Sequence, residues 1–348
     1  MTTSIPIRNI YVLLCYAWDV QGLHGLLALN EDEAGPDSTN LLGFILAEGL
    51  ERIVHRGIHR EFFPVTKSMR GIRGKVRLSA SLKRLELPRA ICTCSFRELS
   101  EDTLPNRVLR ASIGCLLESE STNPTLRKRL RRASKWLRGV TPIHLRGSEF
   151  RGIQIHAGHA PYRLMMGVCQ LLYRCRITTE DPGGMRMRDF LRDEIVMRRI
   201  FERFVRNFVA REIPEYNLLP RSFAWQEVEG DPEDVGLLPT LEADLVLDRG
   251  DDVLLVDTKY TATSLSTHWR SDEPRLKREH LFQLFAYVRN FAQLDPTRPV
   301  AGMLLYPAIR EANDITLRMH GSVVSIRYLD LRQPWASLSA RIRSLMSG

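Results

Sequence analysis

Two short apolar runs, Leu245–Leu247 and Val253–Val256, flank the turn-rich stretch Asp248–Asp252, and acids close both ends of the pattern. Two such runs around a turn specify a β-hairpin whose strands are buried. Glu242-Ala243-Asp244 leads into the first run. Asp257-Thr258-Lys259 ends the second, thirteen positions after Asp244. Side chains two apart on a strand share a face, so Asp257 and Lys259 project together, toward wherever Asp244 points. An ionised acid at the end of a buried strand is costly unless a cation meets it. Two acids and a lysine converging there point to a divalent metal with an activated water, the equipment for phosphodiester hydrolysis.

The hairpin sits inside an α/β order of elements. The spacing predicts a long amphipathic helix over Asp189–Arg211, with Ile195, Val196, Ile200, Phe201, Phe204, Val205 and Phe208 on its buried face. A strand at Ser222–Val228, the hairpin, a helix at Lys277–Gln293, strands at Val300–Tyr306, Ile315–Met319 and Val323–Leu329, and a helix at Trp335–Met346 follow. Helix, strands, helix, strand implies one mixed central sheet flanked by helices. The first half reads as α+β. It has helices at Leu41–Val54, Thr103–Glu118, Pro124–Leu137 and Tyr162–Tyr173, and a small β-rich module over about 60–100 built from Phe62–Val65, Gly71–Leu78 and Ile91–Phe96. Asp181-Pro182-Gly183-Gly184 is the expected linker between a domain at 1–180 and a second at 185–348.

Charge divides along the same line. Residues 1–180 carry 27 Lys and Arg against 16 Asp and Glu, while residues 181–348 carry 23 against 25. The whole +9 excess therefore lies in the first half, away from the hairpin acids, and suits a polyanion or an acidic protein partner. No window holds the roughly 20 uninterrupted apolar residues of a membrane span. The N-terminus lacks the basic region of a signal peptide. Six cysteines without a CxxC pair fit reduced thiols, so a cytoplasmic location is expected.

Three further groups bear on the chemistry. Gln283 and Tyr287 lie at i and i+4 on the helix after the hairpin and share a face. Glu202, on the helix before the sheet, either reaches the metal site or pairs on the surface with Arg198 or Arg206. Gly71-Ile72-Arg73-Gly74-Lys75-Val76 lacks the spacing and hydroxyl of a phosphate-binding loop, so this chain is not expected to bind nucleotide. Arg70, Arg73, Lys75 and Arg77 in the β-rich module are candidate partner contacts. Arg127 and Arg131, on the basic helix, either track DNA phosphates, dock an acidic partner face, or form a solvated face with Leu130, Trp136 and Leu137 tucked inward. His156-x-x-His159 has no further ligand beside it and is read as loop.

Asp244, Asp257-x-Lys259 and Gln283-x-x-x-Tyr287 together resemble the PD-(D/E)xK nuclease superfamily, in particular its RecB-like branch. Ala243 stands where that motif's proline would be. Ile5-Pro6-Ile7-Arg8-Asn9-Ile10-Tyr11, Tyr16-Ala17-Trp18, Glu101-Asp102-Thr103-Leu104-Pro105-Asn106-Arg107 and Val256-Asp257-Thr258-Lys259-Tyr260 resemble the McrC family, the nuclease subunits of modification-dependent McrBC restriction systems. The resemblance implies a restriction-endonuclease-like C-terminal domain and an N-terminal domain that engages a hexameric McrB-like AAA+ GTPase and stimulates it. GTP would be bound by that partner. It implies Mg²⁺ held by Asp244, Asp257 and the Thr258 carbonyl, Lys259 at the water, and Gln283, Tyr287 and Glu202 in support. The substrate would be double-stranded DNA with modified cytosine, cut to 5′-phosphate and 3′-hydroxyl ends. A free-standing RecB-like repair nuclease and a non-catalytic activator of an AAA+ partner are the alternatives.

Overall fold

The computed structural model describes residues 5–20, 38–55, 57–153, 155, 160–178, 185–187, 189–261, 265–268, 271–308 and 313–348. It is a mixed α/β structure of two compact units, Glu33–Arg188 and Met1–Asp32 with Asp189–Gly348. The expected split at residues 1–180 and 185–348 differs from this at the N-terminus. Helix α1 (Ile7–Ala17) groups with the C-terminal half.

Aromatic packing accounts for that grouping. Tyr16, at the end of α1, lies with its ring 5.9 Å from Phe204, 5.4 Å from Phe208 and 5.6 Å from Trp335. Its hydroxyl donates to Glu212 at 2.9 Å, and its carbonyl accepts from Asn207 at 2.8 Å. Asn9 donates to the carbonyls of Leu331 and Gln333 at 2.6 and 2.8 Å. The phenylalanines that mark residues 194–212 as amphipathic thus find their cover in a segment nearly 200 positions upstream, a pairing that periodicity cannot express.

The unit Glu33–Arg188 holds α2 (Ser38–Val54), a three-stranded antiparallel sheet of β1 (Glu61–Arg70), β2 (Lys75–Val76) and β3 (Ile91–Ser100), and short α3 (Leu78–Lys83). It continues with α4 (Leu104–Glu118), α5 (Pro124–Ser134), α6 (Gly147–Arg151), α7 (Ala160–Cys175) and the hairpin β4 (Arg176–Thr178) and β5 (Met185–Met187). The stretch 71–78 contributes only two strand residues. Gly74 turns the chain at φ +68° so close to β3 that a Cβ there would stand 2.6 Å from the Ser95 carbonyl oxygen. The buried network His59, Thr103, Asn106 and Tyr162 ties the β-rich module to α4 and α7. Asn106 donates to the carbonyls of His59 and Glu101, and Tyr162 donates to Asn106 at 2.8 Å. The segments 156–159 and 181–184 lie outside the described residues.

The second unit continues with α8 (Glu194–Glu212), β6 (Asn217–Leu218), β7 (Ser222–Phe223), α9 (Pro232–Val235), β8 (Leu241–Glu242), β9 (Leu245–Asp248) and β10 (Val253–Thr258). A hairpin of β11 (Leu265–His268) and β12 (Ser271–Leu276) precedes α10 (Arg278–Leu294), β13 (Val300–Pro307), β14 (Ile315–Met319), β15 (Ser322–Leu329) and α11 (Trp335–Ser347). The central sheet runs β14-β15-β13-β10-β9-β6, with β10, β13 and β15 mutually parallel and the edges antiparallel. Two sequence expectations shrink. Ile195 is 61% exposed, because the buried stripe of α8 runs through Val196, Ile200, Phe204 and Phe208 and leaves the first turn facing out. The strand at Ser222–Val228 ends at Phe223, where the backbone leaves the sheet and the Gln226 N–H donates to Asn290 on α10 at 2.8 Å.

Candidate active site

The hairpin register sets the geometry. Val256 on β10 pairs with Leu245 on β9, so one step further Asp257 comes level with Asp244. Asp244 Oδ2 accepts both the Thr258 N–H at 2.7 Å and the Thr258 hydroxyl at 2.6 Å, which clamps the two strand ends together. Asp257 is 3% exposed, and its Oδ2 is buried without a hydrogen bond. Lys259 Nζ stands 2.8 Å from that oxygen as an ion-pair partner. Burial pushes the Asp257 carboxyl up to about 6; Lys259 opposes the rise, and the charges of Asp244 and Glu202 add to it.

Lys259 is held from two sides. Its N–H donates to the Leu305 carbonyl on β13 at 2.9 Å, and its Nζ donates to Gln283 Oε1 at 2.6 Å. Gln283 Nε2 in turn donates to the Tyr287 hydroxyl at 2.7 Å, and burial raises that phenol above its usual range. A row of hydrogen bonds therefore runs from the lysine along α10. It depends on a glycine: a Cβ on Gly302 of β13 would stand 2.7 Å from Val288 and 3.0 Å from Leu284, so α10 packs this close only because position 302 has no side chain.

Glu202 projects from α8, half buried. Its partner is neither Arg198 nor Arg206 but Arg221, whose Nη1 donates to Glu202 Oε1 at 3.0 Å while Nη2 donates to Glu242 at 2.6 Å. Burial raises the Glu202 carboxyl, the charge of Asp244 works in the same direction, and Arg221 opposes it. Thr258 is buried, with its N–H and hydroxyl both committed to Asp244. The structure thus brings Asp244, Asp257, Thr258, Lys259, Gln283 and Tyr287 into one hydrogen-bonded and ion-paired cluster, with Glu202 coupled to it through charge.

Sequence reasoning missed three neighbours. Arg221 immediately precedes the strand expected at Ser222–Val228, and its sequence context assigns it no role. His280 shares a hydrogen bond of 2.7 Å with the Tyr306 hydroxyl, and burial together with Lys259 and Lys277 lowers its imidazole to about 4, so it is neutral at pH 7. His280, Gln283 and Tyr287 fall at i, i+3 and i+7, a single row on a helix, and that spacing could have flagged the histidine. Tyr306 ends the apolar run of β13. The pairing Thr258↔Leu305 puts it one step on, level with Lys259.

Among the described residues no group of three or more His, Cys, Asp or Glu encloses a metal unaided. Magnesium does not need one, since it uses one or two carboxylates and keeps several waters. Asp257 Oδ2, buried beside the Lys259 ammonium, and Asp244 are hard-oxygen atoms of the kind that could hold such a cation.

The basic candidates separate. Arg70, Arg73, Lys75, Arg77 and Arg131 are exposed, and Arg73 lies over the Phe96 ring at 4.3 Å. Arg127 is a clamp instead, donating to the carbonyls of Leu117, Ser119 and Thr122. Leu126, Leu130 and Ala133 form the buried side of α5 and Leu137 is buried in the turn after it, whereas Trp136, expected to tuck inward with them, is only partly buried.

Residues 13–307 match the family model of the McrBC 5-methylcytosine restriction system component. The chain is 26% identical over 332 residues to the type IV methyl-directed restriction enzyme EcoKMcrBC of Escherichia coli (strain K12), covering 95% of this chain and 94% of that protein. Its fold is like that of a chain in the half-complex of a tetradecameric assembly of Thermococcus gammatolerans McrB AAA+ hexamers with bound McrC, with a TM-score of 0.60. That match has 22% identity and covers 99% of this chain and 76% of the other. No helix among the described residues is long and apolar enough to cross a membrane.

Proposed function

Because the chain belongs to the McrBC family of 5-methylcytosine restriction system components, we propose that it is the DNA-cutting subunit of such a system, a magnesium-dependent endonuclease that acts with an AAA+ GTPase. One observation carries the nuclease reading: the buried Asp257 carboxylate stands level with Asp244, with the Lys259 ammonium 2.8 Å from its Oδ2. Two acids facing one ammonium leave the buried anions undercompensated, and a divalent cation would complete them. Asp244, Asp257 and the Thr258 carbonyl would hold magnesium, which when bound supplies positive charge to the scissile phosphate and the attacking water.

The remaining roles belong to the protein's own groups. Lys259 places a fixed ammonium at the carboxylates and orients the attacking water, and Gln283 fixes its direction. Tyr287 fixes Gln283. The clamp of Asp244 on Thr258 holds the two strand ends in register as the phosphate arrives. Hydrolysis by in-line attack would leave 5′-phosphate and 3′-hydroxyl ends.

The partner reading rests on the family and on a surface. The solved relative is bound to hexameric McrB, and we assign the same kind of partner to this chain. The module at 60–100 exposes Ile72, Leu78, Leu82 and Leu85 beside Arg70, Arg73, Lys75 and Arg77, a mixed apolar and basic face suited to an AAA+ ring. GTP is bound by the partner, and the substrate is double-stranded DNA with modified cytosine. The test is co-purification with such an AAA+ protein, followed by GTP hydrolysis with and without this chain and cleavage of methylated and unmethylated duplexes. Stimulated hydrolysis with cleavage restricted to methylated DNA supports the reading. Cleavage by the chain alone, without nucleotide, favours a free-standing nuclease.

A further inference from the structure

Arg221 occupies an unusual position. Its carbonyl accepts the N–H of Ala243 at 3.1 Å, which fixes it beside the residue that precedes Asp244. Its guanidinium spans Glu202 on α8 and Glu242 at the end of β8. Glu202, Glu242 and Asp257 are thus paired directly with two cations, Arg221 and Lys259, while Arg203 and Arg206 also act on Glu202 through charge. Arg221 therefore ties Glu202, through its guanidinium, to the backbone beside Asp244, the acid that comes level with Asp257.

The pair is made to be exchanged. The side chains of Arg221 and Glu202 are part-buried, 26% and 30% exposed, so the guanidinium can still be reached from solvent. A phosphate diester offers the same guanidinium a bidentate, charge-assisted partner. We propose that Arg221 is a substrate-sensing positioning residue: it holds Glu202 in the free chain, and on taking a DNA backbone phosphate it releases that carboxylate toward the cation at Asp244 and Asp257. DNA and metal then bind with positive linkage, each favouring the state the other selects. The metal site stays incomplete until a strand is in place, which limits idle binding in a cell rich in magnesium.

This inference rests on the nuclease reading, and manganese titration of the full-length chain separates the two. Calorimetry with Mn²⁺ in the absence of DNA is expected to show binding tightened about five- to tenfold in Arg221→Gln relative to the wild type. The gain should vanish in the double variant Arg221→Gln/Glu202→Gln. A short phosphorothioate duplex at low salt should tighten Mn²⁺ binding by the wild type and leave Arg221→Gln unchanged. Arg221→Lys, which keeps the charge and loses the fork, should bind the metal as the wild type does while responding less to the duplex. Unchanged manganese affinity in Arg221→Gln, or a wild type indifferent to the duplex, overturns the exchange. If Asp257→Asn binds Mn²⁺ as tightly as the wild type, it is the metal site that fails.

Discussion

At the scale of single residues, Asp257 carries a cost in stability. Its carboxyl is pushed up from its ordinary value to about 6, mainly by burial. An acid raised in the folded state binds more protons there than in the unfolded chain between about pH 4 and 6, so it costs stability progressively as pH rises through that window. The shift corresponds to roughly 2–3 kcal/mol of destabilisation at neutral pH. Asp257→Asn is therefore expected to melt higher than the metal-free wild type at pH 7.5 and to coincide with it near pH 4.5. Magnesium should narrow the gap at pH 7.5, because the variant lacks one of the carboxylates proposed to hold it. Equal melting temperatures at pH 7.5 without metal would show that the carboxylate is already compensated. The acids and the lysine were legible in the sequence because strand alternation and an abrupt end to an apolar run are local facts. Arg221 and Tyr306 were not, since their roles arise from register between segments far apart in the chain.

At the scale of elements, the site depends on how closely α10 lies on the sheet. Gly302→Val would place methyl groups where Val288 and Leu284 already stand and force the helix outward. Overpacking of this kind costs about 1–3 kcal/mol. It should also separate Gln283 from Lys259, so cleavage is expected to fall by more than the stability loss explains, with DNA binding retained. A variant that melts lower yet cuts at the wild-type rate would contradict this coupling. The McrC-like landmarks acquire structural reasons at the same scale. Asn9 and Tyr16 pin α1 to the C-terminal unit, and Asp102 accepts both Arg107 and the Thr141 N–H and hydroxyl. Asn106 holds three groups of the buried network. Asn106→Ala should destabilise by about 2–3 kcal/mol, because it strands buried polar partners. Thermal unfolding checks this directly. The long helices were legible from periodicity, whereas the short α3, α6 and α9 were not. The two hairpins, β4–β5 and β11–β12, have strands of three to six residues, too short for a period to register, and were missed.

At the scale of the whole chain, the linear order of segments misled where the fold brings its ends together. α1 reads as the start of the N-terminal domain, yet Tyr16 lies among Phe204, Phe208 and Trp335. Tyr16→Ala should cost about 3–5 kcal/mol, as for other buried aromatics. The loss should appear in the unfolding of the unit that holds residues 189–348 rather than of residues 33–188, and hydrogen exchange resolved by segment would distinguish the two. A loss confined to the helices of residues 38–175 would contradict the grouping. The division of labour follows from the same arrangement. The basic excess and the exposed β-rich module lie in one unit and the acids in the other, so recognition of the partner and chemistry on DNA should be separable by mutation. The most direct measurement pairs two assays on the complex reconstituted with its AAA+ partner, GTP and methylated DNA. Asp257→Ala and Lys259→Ala should each abolish cleavage, to below about one-hundredth of the wild-type rate, while stimulation of GTP hydrolysis stays at the wild-type level. Full cleavage by either variant would contradict the account.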